Sequence, residues 1–200
     1  MFTGIISDIG TVRSVALLAA GMRVRIGTNF DSASIVVGAS IACAGACLTV
    51  VESGREKGGD WFDVEVSSET LAKTTLGGWS AGTRLNLERS LKAGDELGGH
   101  IVTGHIDGVA EILARQEEGG MAHFEFDAPP GLARLIAEKG SVALDGVSLT
   151  VNNAEGRRFS VMLIPHSLAV TTWGDRRAGD HVNLEVDLFA RYLDRLRQSD

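Results

Sequence analysis

Tyrosine occurs once in this chain of 200 residues, proline three times and cysteine twice, and basic runs are missing altogether. Each scarcity removes a class of protein. Cys43 and Cys47 are too few for the disulfide framework of a small secreted domain. If both lie along one extended strand, four residues at about 3.3 Å each hold them beyond bridging distance. The reading is a reduced, cytoplasmic protein. A net charge of −7 and a pI near 5.2 offer no broad attraction to phosphate backbones or anionic lipid, so no nucleic-acid or membrane partner is expected. The opening MFTGIISDIG has neither a positive n-region nor a long apolar run and does not read as a secretory signal. The longest uncharged stretch, Ser32 to Glu52, is broken by Gly38 and Gly45 and carries Ser34, Ser40 and Thr49, which argues against a membrane-spanning helix. At 44% apolar and 22% charged residues, the rest is ordinary globular composition.

What the chain has in quantity is glycine and repetition. FTGIISDIG at Phe2–Gly10 answers VTGHIDG at Val102–Gly108. SIACAGACLTVV at Ser40–Val51 answers SVALDGVSLTVN at Ser141–Asn152, and Ser68–Glu88 answers Pro165–Asp187. The offsets drift only from 100 to 101 to 97, as changes in loop length allow. Three ordered matches indicate a duplication, with a boundary near Leu91–Gly98. The expected units are residues 1–93, residues 94–187 and a tail, 188–200.

Inside each half the apolar period is two. Phe62, Val64 and Val66 alternate with Asp63, Glu65 and Ser67; Val182, Leu184 and Val186 alternate with His181, Asn183, Glu185 and Asp187. Short runs of this kind between glycine-rich turns predict small antiparallel barrels or sandwiches, an all-β class. Leu132, Leu135 and Ile136 fit a helix after Pro129–Pro130 that ends at Gly140, and SETLAKTTLG and HSLAVTTWG each fit about two turns. In the tail, Phe189, Tyr192, Leu193 and Leu196 stand at i, i+3, i+4 and i+7 among charged residues. That is an amphipathic helix without a counterpart in the first half, able to pack on its own barrels or on a partner subunit.

Several patterns have plain explanations. Gly99 to His105 reads G-x-x-x-x-G-H, but a phosphate loop needs lysine and then Ser or Thr where this chain has histidine and isoleucine. His100 and His105, five residues apart, fall on opposite faces of a strand and lack further ligands for a metal. Trp61, Trp79 and Trp173 read as core or rim.

The mismatches between the repeats are informative. Where the first half has Ile5, Gly38, Ala44, Cys47 and Glu69, the second has His105, Lys139, Asp145, Ser148 and His166. The apolar skeleton is kept while ionisable groups enter the second copy. Two similar pockets, one more polar, suit a protein that holds two copies of one ligand in different roles.

MFTGI, GACLTV at Gly45–Val50, GGHIVTGHIDG, DGVSLTVN at Asp145–Asn152 and NLEVD at Asn183–Asp187, in this order in a duplicated chain, resemble the riboflavin synthase alpha-chain family from Met1 to about Leu196. The resemblance implies two tandem six-stranded antiparallel Greek-key barrels, each binding one 6,7-dimethyl-8-ribityllumazine, in a homotrimer assembled partly through the C-terminal helix. It implies a transferase that dismutates two lumazines by four-carbon transfer, giving riboflavin and 5-amino-6-(ribitylamino)uracil, with neither cofactor nor metal. A flat, uncharged ring with a polyol arm suits apolar faces with backbone and hydroxyl hydrogen bonds. By the same resemblance Gly4, Ile5, Ile6, Cys47, Leu48, Thr49, Glu65, Val66 and Ser67 line the first pocket. Gly104, His105, Ile106, Lys139, Ser148, Leu149, Thr150, Leu163, Ile164, Pro165, His166 and Ser167 line the second. Proton removal from a ring methyl makes His105 the first catalytic candidate, with Ser148, Cys47 and Asp187 to relay protons or position the rings. Two residues depart from the family pattern. Ala44 replaces an asparagine, which puts one hydrogen bond of the first pocket in doubt, and Arg191 replaces a common lysine, a change read as inconsequential. The alternative is a non-catalytic, antenna-type lumazine- or flavin-binding protein. Such a protein is expected to lose second-half motifs, which are intact here.

Overall fold

The computed structural model describes residues 1–198. Its elements repeat the sequence duplication. The first half carries β1 (Asp8–Leu18), β2 (Gly21–Thr28), β3 (Ser40–Cys43), β4 (Ala46–Glu56), β5 (Gly59–Ser67), α1 (Ser68–Lys73) and β6 (Arg84–Arg89). The second carries β7 (Gly108–Glu118), β8 (Met121–Asp127), β9 (Ser141–Leu144), β10 (Val147–Glu155), β11 (Arg158–Leu163), α2 (Pro165–Val170) and β12 (His181–Val186), followed by α3 (Leu188–Arg197). All pairings are antiparallel, and each set of six closes on itself: β1-β2-β5-β4-β3-β6 and β7-β8-β11-β10-β9-β12. Closure leaves no sheet edge to template aggregation.

The period-two pattern delivers the cores. Val24, Ile26, Phe62, Val64 and Leu87 fill the first barrel. The second is more aromatic, with Phe124 edge-on to Trp173 at 5.0 Å and Phe126 stacked on Phe159 at 4.9 Å. Burial of each such side chain contributes about 1.5–3 kcal/mol. Trp173 is fully buried, and Trp61 and Trp79 are nearly so, as expected of core and rim residues.

Three local expectations are corrected. After Pro129–Pro130 only a single 3-10 turn forms, Ala133–Leu135. Pro129 accepts from both Leu132 and Ala133, and Lys139 then turns left-handed at φ +62° to enter β9. Cys43 and Cys47 do not share a strand: they flank the hairpin turn Ala44–Gly45, where Cys43 pairs with Ala46 and Cys47 with Ala42. Both thiols are free, and burial pushes that of Cys43 up out of the reactive range. His100 and His105 lie on no regular strand; between Gly98 and Asp107 the one ladder contact is the bridge between Val102 and Phe2.

That bridge organises the molecule. Phe2 and Val102 exchange backbone hydrogen bonds of 2.8 and 3.1 Å, so the arms leading into β1 and β7 pair with each other between the barrels. Ala42 and Ala143 pack beneath them. The motif Asn-Leu-Glu, at Asn86–Glu88 in β6 and Asn183–Glu185 in β12, completes the junction. Its leucines enter the two cores. Its asparagines reach across: Asn86 accepts from the Thr172 amide and donates to the Asp145 carbonyl, while Asn183 accepts from the Thr75 amide and donates to the Ala44 carbonyl, at 2.8–3.0 Å. Asn183 and Glu185 therefore escape the simple in–out alternation: they point away from their own core yet are 0% and 1% exposed. Buried amides bonded at both oxygen and nitrogen specify one docking geometry.

Candidate functional site: two Thr-Gly turns, each laid on the opposite barrel

The glutamates of the Asn-Leu-Glu motifs hold the two Thr-Gly turns. Glu88 accepts from the Thr3 amide and hydroxyl and the Gly4 amide at 2.6–2.9 Å, and Glu185 does the same for Thr103 and Gly104 at 2.6–2.8 Å. Burial pushes the Glu88 carboxyl up, against the pull of its donors in Thr3 and Gly4.

So held, each turn leans on the opposite barrel. The Ser148 amide donates to the Gly4 carbonyl at 2.9 Å, and the Cys47 amide donates to the Gly104 carbonyl at 2.9 Å. A Cβ on Gly4 would sit 2.5 Å from that of Ser148, and one on Gly104 the same distance from that of Cys47. Both glycines also have positive φ, +76° and +79°, so glycine is required twice over. This corrects the grouping read from the sequence. Gly4, Ile5 and Ile6 belong with Ser148, and Gly104, His105 and Ile106 with Cys47. The repeats align turn with turn and strand with strand, and alignment alone does not reveal that the arms cross.

A cleft of about 300 Å³ lies where Cys47, Gly104, His105 and Ile106 meet Glu69 and Thr70 of α1. On β4 and β5, Cys47, Thr49, Glu65 and Ser67 point outward, while Leu48 and Val66 are buried in the barrel and offer the site only backbone. Ser67 caps α1 by accepting from the Thr70 amide. The corresponding surface of the second barrel places Ser148 and Thr150 outward on β10, with Leu149 and Leu163 inward and Ile164, Pro165, His166 and Ser167 opening α2. Ile5, on the turn that meets Ser148, and Ile164, just ahead of α2, are both exposed. Lys139 stands in the left-handed conformation that Gly38 adopts in the first half; the Gly38 amide donates to the Val50 carbonyl of β4 and the Lys139 amide to the Val151 carbonyl of β10, both at 2.8 Å. A lysine there costs about 1–2 kcal/mol, and strain of this kind collects at functional sites.

One residue beside Ser148, considered in the sequence only as a metal ligand, was not among the expected site residues. His100 Nδ1 lies 2.7 Å from Ser148 Oγ. Burial pushes the imidazole below its ordinary 6.5, against the nearby negative charge of Asp187. The catalytic candidates thus separate: Ser148 and Asp187 gather about His100, while His105 joins Cys47. Comparing the halves cannot find His100, because Val102 aligns with Phe2 and the equivalent of His100 falls before Met1. A lowered pKa means that this group contributes stability above pH 6.5, which is lost as pH falls toward the folded value. The wild-type melting temperature is expected to drop more between pH 7 and 5 than that of His100→Gln, as scanning calorimetry at both pH values checks.

Folds are shared more widely than chemistry, and comparison with known proteins decides the family. The pattern of the Lumazine binding domain family matches twice, at residues 3–90 and 103–187. The riboflavin synthase of Brucella abortus (strain 2308) is 56% identical over 200 residues, covering 99% of this chain and 98% of that one. The chain belongs to the riboflavin synthase family. The riboflavin synthase of Mycobacterium tuberculosis (strain ATCC 25618 / H37Rv) is 42% identical, covering 100% of this chain and 99% of its own. A crystal structure of LumP complexed with riboflavin superposes with a TM-score of 0.82 at 25% identity, over 93% of this chain and 99% of that one.

Within this riboflavin synthase fold the two departures from the family pattern acquire places. Ala44 does not line the cleft of Cys47 and His105: with φ +46° it opens the β3–β4 hairpin at the seam between the barrels, where it borders a separate hollow with Asn86, Thr172 and Arg176, and it is matched by Asp145 at φ +46° in β9–β10. Asp145 is buried there against Arg176 and the Asn183 amide, so this added charge serves the seam rather than a cleft. Arg191 is not inert: it pairs with Asp107 at 2.7 Å.

Proposed function

We propose that the chain is a riboflavin synthase, forming riboflavin and 5-amino-6-(ribitylamino)uracil from two molecules of 6,7-dimethyl-8-ribityllumazine. The observation that carries the reading is the pair of like but unequal Thr-Gly turns, each hydrogen-bonded across to β4 or β10 of the other half, with an open cleft where the Gly104 turn meets Cys47. One cleft is assigned Cys47, Leu48, Thr49, Glu65, Val66 and Ser67 with Gly104, His105 and Ile106. The other takes Ser148, Leu149, Thr150, Lys139 and Leu163 to Ser167 with Gly4, Ile5 and Ile6. Outward hydroxyls, backbone groups of the Thr-Gly turns and the exposed Ile5 and Ile164 suit a flat ring with a polyol arm.

The transfer begins when a ring methyl, acidified by conjugation, loses a proton; the carbanion attacks the second lumazine, and elimination returns the pyrimidine product. His105 and Cys47 serve one ring, and Ser148 with Asp187 and His100 the other. Holding both rings in attack geometry can supply about 7–11 kcal/mol, more than any single base. His105→Gln is therefore expected to lower kcat by about 10²-fold without abolishing turnover. Steady-state assay with wild-type binding checks this, and complete loss with binding intact would reverse the ranking of alignment over proton transfer.

The clefts of one chain open on different barrels, so the paired rings are assigned to a cleft from each of two subunits. α3 supports a homotrimer, because its apolar residues Phe189, Tyr192, Leu193 and Leu196 are each more than 60% exposed and a lone subunit leaves that stripe in water. The functional units are 1–93, 94–187 and 188–200, and the place of action is the cytoplasm; no described helix is long and apolar enough to cross a membrane. Incubation with the lumazine tests the reading: riboflavin absorbance should grow, and titration should find two sites per chain. Tight binding without turnover would instead favour an antenna protein.

A further inference from the structure

The two Thr-Gly turns are braced alike from below by Glu88 and Glu185, but only one is also held from above. In the first half the residue three beyond Gly4 is Ser7, whose hydroxyl lies 3.4 Å from the Leu87 carbonyl of the adjacent strand. In the second half its counterpart is Asp107. Its carboxylate oxygen Oδ2 accepts from the Val186 amide at 2.9 Å and from Arg191 Nη2 at 2.7 Å, and the same nitrogen reaches the His105 carbonyl at 3.4 Å. Arg191 sits on α3, one turn after Asp187 caps that helix through the Phe189 amide. Asp107 and Arg191 side chains are 17% and 29% exposed, sheltered enough for the pair to outlast a surface salt bridge.

The helix offering the apolar stripe is thus tied to the backbone that carries His105. We propose that Arg191 and Asp107 form a positioning latch, coupling the seating of α3 against a second copy of this chain to the placement of His105 beside Cys47. The inference rests on the synthase reading for its catalytic consequence, not for its structural one. Alignment within a site is steep in distance, and a 1 Å displacement costs up to about 10²-fold in rate. The first-half turn carries no histidine and no such tie, which is the asymmetry a latch for His105 requires.

Four variants test it: Arg191→Ala, Asp107→Ser, their combination, and Arg191→Lys. Five quantities are read on each, namely kcat and KM for the lumazine, assembly by sedimentation, melting temperature, and amide exchange of residues 103–107. Each single loss should lower kcat about tenfold with KM within about twofold and assembly retained. The double variant should be no worse than the poorer single, as a shared contact requires. Exchange at 103–107 should quicken, and Arg191→Lys should recover most of the rate. A merely structural role would lower the melting temperature and leave the kcat of the assembled enzyme alone. Unchanged exchange, or additive losses, overturns the latch. Absence of turnover in the wild type would refute the synthase reading, and the exchange measurement would still decide the latch.

Discussion

Gly104→Ala is expected to empty one of the two proposed lumazine sites and to cut riboflavin formation by about 10²-fold or more. The added methyl meets Cys47 at 2.5 Å to its Cβ and 2.9 Å to its amide nitrogen, on a backbone whose φ of +79° already disfavours an L side chain. The turn cannot retreat, because Glu185 grips the amides of Thr103 and Gly104 from the other side. The carbonyl that receives the Cys47 amide must therefore move, and the cleft floor with it. Titration should fall from two ligands per chain to one, while the surviving site retains its affinity. Retention of both sites would mean that the Thr-Gly turn is not part of a cleft. Gly4→Ala should produce the mirror result, leaving the cleft of Cys47 occupied.

Removal of residues 188–200 has the second large effect. Every apolar residue of the α3 stripe is exposed and none enters either core, so both barrels should fold. If the proposed trimer depends on α3, sedimentation should show monomers, and turnover should fall by about 10²-fold or more as the rings lose their enforced encounter. Ligand binding should persist at both clefts, weakened most where Arg191 no longer steadies the His105 turn. Full turnover by a monomer would rule out a site shared between subunits.

The all-β class, the duplication and the amphipathic tail were legible because each is written in spacing: Phe62, Val64 and Val66 at period two, the three repeated blocks, and Phe189 to Leu196 on one helical stripe. What spacing does not carry is the partner of an outward-facing group. Asn183 and Glu185 read as solvent-side members of a strand, yet both are buried, because the first barrel and the Thr103 turn cover that side. The composition of the clefts was hidden for the same reason: Gly4 and Cys47 share a half in the sequence and lie in different clefts in space. The expected helix after Pro129–Pro130 failed on length, since apolar periodicity over five residues cannot distinguish one turn from three. Arg191 was misjudged because its value depends on Asp107, 84 residues away in the chain.

The crossing of the arms has a bearing on ancestry. Since the floor and rim of each cleft come from opposite halves, a forebear with a single barrel would have possessed no complete cleft when alone. Two such molecules, each laying its leading arm on its twin, would have made both at once, with identical contents. Fusion of two such genes would free the copies to diverge, which is the pattern seen in His105, Lys139 and Ser148 against Ile5, Gly38 and Cys47.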